Sequence, residues 1–203
     1  MLQTLNRFTA TALFLVLTAT TATAQIPCVD GNAGGYPCQN IDLMGYLSSD
    51  EVGGGDMNDI WGWIDPSDGT EYAILGRSTG TSFIDISDPA NPVMVANLPT
   101  NTVTSFWRDI KVHDNHAFIV SEASGHGMQV VDLTQLGGIV NPPQDIEADA
   151  LYTGWGNAHN IVINEETGYA YLVGSRTCAG GLHMVDIRNP KSPEFAGCYS
   201  SAG

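Results

Sequence analysis

The chain has 203 residues, with 22 Asp and Glu against 7 Lys and Arg, for a formal net charge of −15. This excludes nucleic acid as a partner, since binding a phosphate backbone relies on clustered Lys and Arg. The acidity is spread without any long acidic run, which suits solubility in a salty or calcium-containing exterior.

Residues 1–24 are read as a secretory signal peptide: a weakly basic start through Arg7, an apolar run from Phe8 to about Ala19, and an Ala22-Thr23-Ala24 cleavage signature. The apolar run is shorter than the roughly 20 residues a spanning helix needs. No other stretch is apolar enough to span a bilayer, so the mature chain is expected to carry no transmembrane segment. Four cysteines in an exported chain favour disulfides. Cys28 and Cys38 close a short loop and Cys178 and Cys198 fall in one later repeat, so local pairing is expected, with three connectivities open.

Residues 25–55 form an N-terminal segment in which Ile41 to Leu47 has the character of an orphan outer strand. From residue 56 the chain repeats. The heptapeptides GTSFIDI (from Gly80), GMQVVDL (from Gly127) and GLHMVDI (from Gly181) place Asp at 85, 132 and 186. Two short β-like runs precede each, marked by alternation, β-branched residues and Gly/Asn/Asp/Pro punctuation. The first runs open at Asp59, Asp109 and Asn160, spacings of 50 and 51 residues. After two of the repeats a Pro-rich turn leads to a further run, Val93 to Leu98 or Glu194 to Tyr199. A four-stranded antiparallel unit of about 50 residues is a propeller-blade signature. The predicted fold is therefore all-β, a β-propeller of three four-stranded blades (about 56–100, 105–155 and 157–203) in an incomplete ring. Three blades are fewer than propellers use, so the sequence is expected to be an N-terminal fragment whose further blades lie downstream.

The stretches NDIWGW, SFWRDIKVHDNHAFIVSEASGHGMQVVDLTQL and GNAHNIVINEETGYAYLVGSRTCAGGLHMVDIRNPKSPEFAGCYS resemble the choice-of-anchor B family of exported bacterial proteins, and the repeat unit is similar to the LVIVD repeat. The resemblance covers roughly residues 25–203. It implies a secreted or surface-displayed propeller with more blades and, in many members, a surface anchor. It transfers no activity.

In a propeller, the loop before each first strand and the loop joining second and third strands share the channel-mouth face. That rule collects Asn58-Asp59, Arg108-Asp109 and His159-Asn160, then Arg77, Glu122, His126 and Arg176. Asp59, Asp109 and Asn160 recur at one position and are expected to bond backbone amides between blades. Asp85, Asp132 and Asp186 are expected in Asx-type turns, and Gly80, Gly127 and Gly181 at positive φ. Residues that do not recur, Arg108, Glu122, His126, His159 and Arg176, are the ligand-binding candidates, with His126 exposed by its flanking glycines. Asp109, Glu122 and His159 are the candidate set for a divalent metal, the one cofactor the sequence suggests. His113 and His116, on the opposite face, are read as loop residues. Trp61, Trp63, Trp107 and Trp155 could stack on sugars or pack between blades.

The expected function is an exported binding module, secreted or at the cell surface or in the periplasm, that engages an extracellular protein, glycan or small ligand through its mouth loops. A metal-assisted hydrolase or lyase and a surface scaffold without specific ligand are the alternatives.

Overall fold

A computed structural model of the chain describes residues 25–200; the signal-peptide reading of residues 1–24 lies outside them. A two-stranded β1 (Asn32–Ala33) and β2 (Tyr36–Pro37) ribbon precedes three sheets. The first contains β3 (Met57–Ile64), β4 (Glu71–Arg77), β5 (Gly80–Asp85) and β6 (Val93–Pro99). The second contains β7 (Arg108–His113), β8 (His116–Ser121), β9 (Met128–Asp132) and, after a 3-10 turn over Leu133–Gly138 and a strand β10 (Gln144–Asp145), β11 (Ala150–Tyr152). The third contains β12 (Asn160–Asn164), β13 (Tyr169–Val173), β14 (Leu182–Asp186) and β15 (Glu194–Tyr199).

Each sheet is an antiparallel meander with its first strand, β3, β7 or β12, at one edge. This is the blade architecture that the repeats predict, and β7 packs beside both β3 and β12. Alternation supplies the glue. Ile74, Phe83 and Leu98 of the first blade meet Ile110, Ile119 and Val131 of the second, and Phe118, Val120 and Val130 on its other face meet Ile161, Leu172 and Val185 of the third. Each fully buried side chain of this kind contributes about 1.5–3 kcal/mol. The outer strand of the second blade, for which the sequence offered no clear run, is only three residues long. The loop before it lends β10 to the first blade, where it pairs in parallel with β6 and makes a fifth strand.

The N-terminal segment is pinned rather than free. Ile41 to Leu47 forms no regular strand, but Leu43 bridges Ile26, and Leu47 and Val52 pack on the far face of the first blade against Ile84 and Met94. Both local disulfides form, Cys28–Cys38 and Cys178–Cys198. No helix among the described residues is long and apolar enough to cross a membrane.

The repeat signature has two physical causes. Asp85, Asp132 and Asp186 each accept the backbone N–H two residues on, from Ser87, Thr134 and Arg188, at 2.9, 3.1 and 3.0 Å, which is the Asx turn expected. The glycines require a correction: among the three only Gly127 has positive φ (69°). What they share is closeness. A Cβ at Gly80 would lie 2.3 Å from Leu98 O, at Gly127 2.4 Å from Tyr152 O and at Gly181 1.9 Å from Tyr199 O. In each blade the third strand starts where the fourth strand ends, and the carbonyl there leaves no room for a side chain. Gly80→Ala is therefore expected to cost about 2 kcal/mol by forcing β5 and β6 apart. Gly62→Ala, whose new Cβ would meet its nearest atom at 3.9 Å, should stay within about 0.5 kcal/mol of the parent. Urea denaturation of both variants tests the pair, and equal stabilities would discard the carbonyl explanation.

Candidate functional site

The residues that open β3, β7 and β12 meet at one end of the arc. Each of these strands is an inner edge, and an edge strand presents backbone N–H groups with no ladder partner. The recurring acid serves them across the blade boundary. Ile110 N donates to Asp59 Oδ2 at 2.8 Å and Ile161 N donates to Asp109 Oδ2 at 2.7 Å, 51 and 52 residues away. Asn160 Nδ2 adds a second bond to Asp109 Oδ2, and Lys111 Nζ sits on Asp109 Oδ1 at 2.5 Å. Burial raises the pKa of Asp59, opposed by the Ile110 N–H and reinforced by the negative charge of Asp109. These acids are builders of the mouth, as their recurrence predicts.

Two ligand-binding candidates lie underneath the mouth instead of on it. His126 is fully buried and Arg108 is 2% exposed. Arg108 Nη1 donates to His126 Nε2 at 2.9 Å, Nε to Arg77 O at 3.0 Å and Nη2 to Thr100 Oγ1 at 3.0 Å. With Nε2 accepting, the imidazole proton resides on Nδ1 and is donated to Gly127 O. Burial pushes His126 down to about 4 and Arg108 down to about 10, with the Arg108 charge adding to the first shift and the Arg77 charge to the second. The expectation of an exposed His126 is thus corrected. Its flanking glycines, both at positive φ, turn the loop back over the ring, and Ala123 N–Ser121 and Asn101–His126 O bonds close it from either side. Arg77, equally buried, spends its guanidinium on the carbonyls of Gly53 and Gly54 and on Ser82, Thr79 and Asn97.

Above this layer a cleft of about 200 Å³ is lined by Asn58–Asp59, Trp107–Asp109 and His159–Asn160. His159 Nδ1 donates to Glu122 Oε1, with the two side chains 45% and 37% exposed. The His159 ring lies 5.8 Å from Trp107, whose other neighbour is Phe106 at 4.7 Å and 90°. Sequence reasoning picked Glu122 and His159 correctly as neighbours but missed Phe106. The available signal was two adjacent aromatics, Phe106-Trp107, immediately before a first strand. Trp155 and Trp63 are core residues, while Trp61 supports Lys111, whose Nζ lies 4.4 Å from the ring centroid. Arg176 is exposed and outside the cleft lining.

The proposed metal set does not assemble. Asp109 is turned to Ile161, Asn160 and Lys111, and among the described residues no group of three or more His, Cys, Asp or Glu is placed to hold an ion. His113 and His116 flank a two-residue turn at Asp114 and Asn115, both at positive φ, and His116 Nδ1 bonds Asp114 O.

A family model for the LVIVD repeat matches residues 72–100 and 155–201. The first span runs through the second to fourth strands of the first blade, and the second takes in the whole third blade. The second blade, between them, has the same meander and the same Gly and Asp positions. No curated protein matches the chain.

Proposed function

We propose that this chain is an exported binding module of the choice-of-anchor B type, secreted or held at the cell surface, which engages a small extracellular ligand at the mouth cleft. The observation that carries the reading is an open cleft lined by Trp107 and His159, with exposed Phe106 packed on Trp107 and Glu122 bonded to His159, and a frame held from beneath. Aromatic surface left in water costs free energy unless something covers it. The two disulfides and the signal-like N-terminal sequence support export.

Trp107→Ala should abolish or weaken ligand binding by at least about tenfold while leaving stability within about 0.5 kcal/mol. Arg176→Ala, on a loop of the same face, should weaken binding severalfold at most. Calorimetric titration against a panel of glycans, peptides and small organic ions checks this. Binding that is indifferent to Trp107 would place the ligand elsewhere, and a panel with no binder at all would favour the scaffold role.

A further inference from the structure

We propose that the ligand class of the mouth cleft is a small organic ammonium ion, an inference that rests on the cleft being the binding site. Trp107, which lines the cleft, and Phe106, packed against it at the rim, supply the first argument. Trp107 is 48% and Phe106 44% exposed, and their perpendicular rings form a corner that presents π surface to solvent. Such a corner attracts a cation through the ring quadrupoles, most strongly over tryptophan.

Charge supplies the second. The cations at the cleft are committed inside the protein, Lys111 to Asp109 and Ile110 O, Arg108 to Arg77 O, His126 and Thr100, while exposed Arg176 lies outside the cleft lining. Glu122 Oε2, by contrast, has no hydrogen-bond partner among the described residues, and Asp59 lines the cleft itself. The whole chain carries −15, so the field at the mouth repels anions and concentrates cations.

The open carboxylate oxygen beside the cleft is Glu122 Oε2, on the residue that holds His159, and an ammonium group satisfies it with an N–H and a charge together. At about 200 Å³ the cleft is smaller than the roughly 300–1,000 Å³ pockets of drug-sized ligands, which points to a compact ion.

The test is calorimetric titration of the purified protein with tetramethylammonium and methylammonium chlorides, sodium chloride as the ionic-strength control, and methyl glucoside and acetate as the neutral and anionic arms. The expected result is ammonium binding that weakens about tenfold in Trp107→Ala and severalfold in Glu122→Gln, with no acetate binding. Both substituted residues are exposed, and unchanged thermal melts of the variants exclude unfolding as the cause. Methyl glucoside binding that depends on Trp107, without ammonium binding, would overturn the cation assignment and leave the mouth reading standing. Failure of every probe, or ammonium binding equal in both variants and the parent, would overturn the two together.

Discussion

Asp109→Ala is expected to lower the stability of the protein by about 3–4 kcal/mol, more than any other single change at the mouth. The carboxylate is 7% exposed and answers four donors at once: Ile161 N and Asn160 Nδ2 on Oδ2, and Lys111 Nζ and Ile110 N on Oδ1. Alanine strands the buried Ile161 N–H, a loss of roughly 1–3 kcal/mol, and leaves a partly buried ammonium without its counter-charge, which costs more than an ordinary lost bond. Asp59→Ala should be milder, about 1–2 kcal/mol, because Ile110 N is shared between Asp59 Oδ2 and Asp109 Oδ1, at 2.8 and 3.0 Å, and keeps the second acceptor. Asp109→Asn should fall between, since an amide oxygen can still serve Ile161 N but cannot balance Lys111. Urea unfolding with the slope held as a check on cooperativity measures the three. Equal losses for Asp59→Ala and Asp109→Ala would show that Asp109 does not serve as the second acceptor of Ile110 N.

The order of those effects was legible in part from the sequence. Recurrence at spacings of 50 and 51 residues singled out Asp59, Asp109 and Asn160 as architectural, and they bridge blades because an inner edge strand needs an acceptor from outside its own sheet. Recurrence could not say why Gly80, Gly127 and Gly181 are glycines. The collision is with a carbonyl 18 to 25 residues downstream (Leu98, Tyr152 and Tyr199), and in the second blade that carbonyl follows a loop with no strand signal. Nor could it place His126. Glycines on both sides read as an exposed loop, yet the ring is drawn inward by Arg108, which enters from the first strand of the same blade and needs an acceptor. Absence of recurrence therefore marked two different things: Arg108 and His126, a private polar core of the second blade, and Glu122 and His159, an exposed pair. Only the depth of each side chain separates them, and depth is set by packing between blades rather than by local pattern.

That private core makes the protein acid-sensitive in a window of its own. His126 is held neutral, with its pKa lowered from the ordinary 6.5 to about 4, chiefly because burial disfavours the imidazolium and also because Arg108 sits against it; its bond to Gly127 opposes the shift. Above about pH 6.5 neither the folded nor the unfolded chain protonates this residue, and its neutral form contributes fully. As pH falls toward 4 the unfolded chain takes up a proton that the folded chain refuses, so stability drops by about 3 kcal/mol over that interval and by nothing further from this group below it. The depressed carboxylates act lower. Asp132 and Asp186 are held down to about 2, by Lys191 and the Thr134 hydroxyl and N–H in the first case and by Arg188 in the second, so their contributions are lost only below the ordinary carboxylate value near 3.8. His183, also lowered by burial, adds a slope of the same sign between Tyr152 and Thr177. His126→Gln keeps an acceptor for Arg108 and a donor for Gly127 O while removing the titration. Its stability at pH 7 matters less than its slope: between pH 6.5 and 4 the decline should shrink to the residue contributed by His183, whereas the fall below pH 4 should match the parent. Urea titrations at half-unit pH steps resolve the two windows. A parent that loses no stability until pH 4, or a His126→Gln variant with the full slope intact, would mean that the imidazole reaches water and the Arg108–His126 contact is not formed in solution.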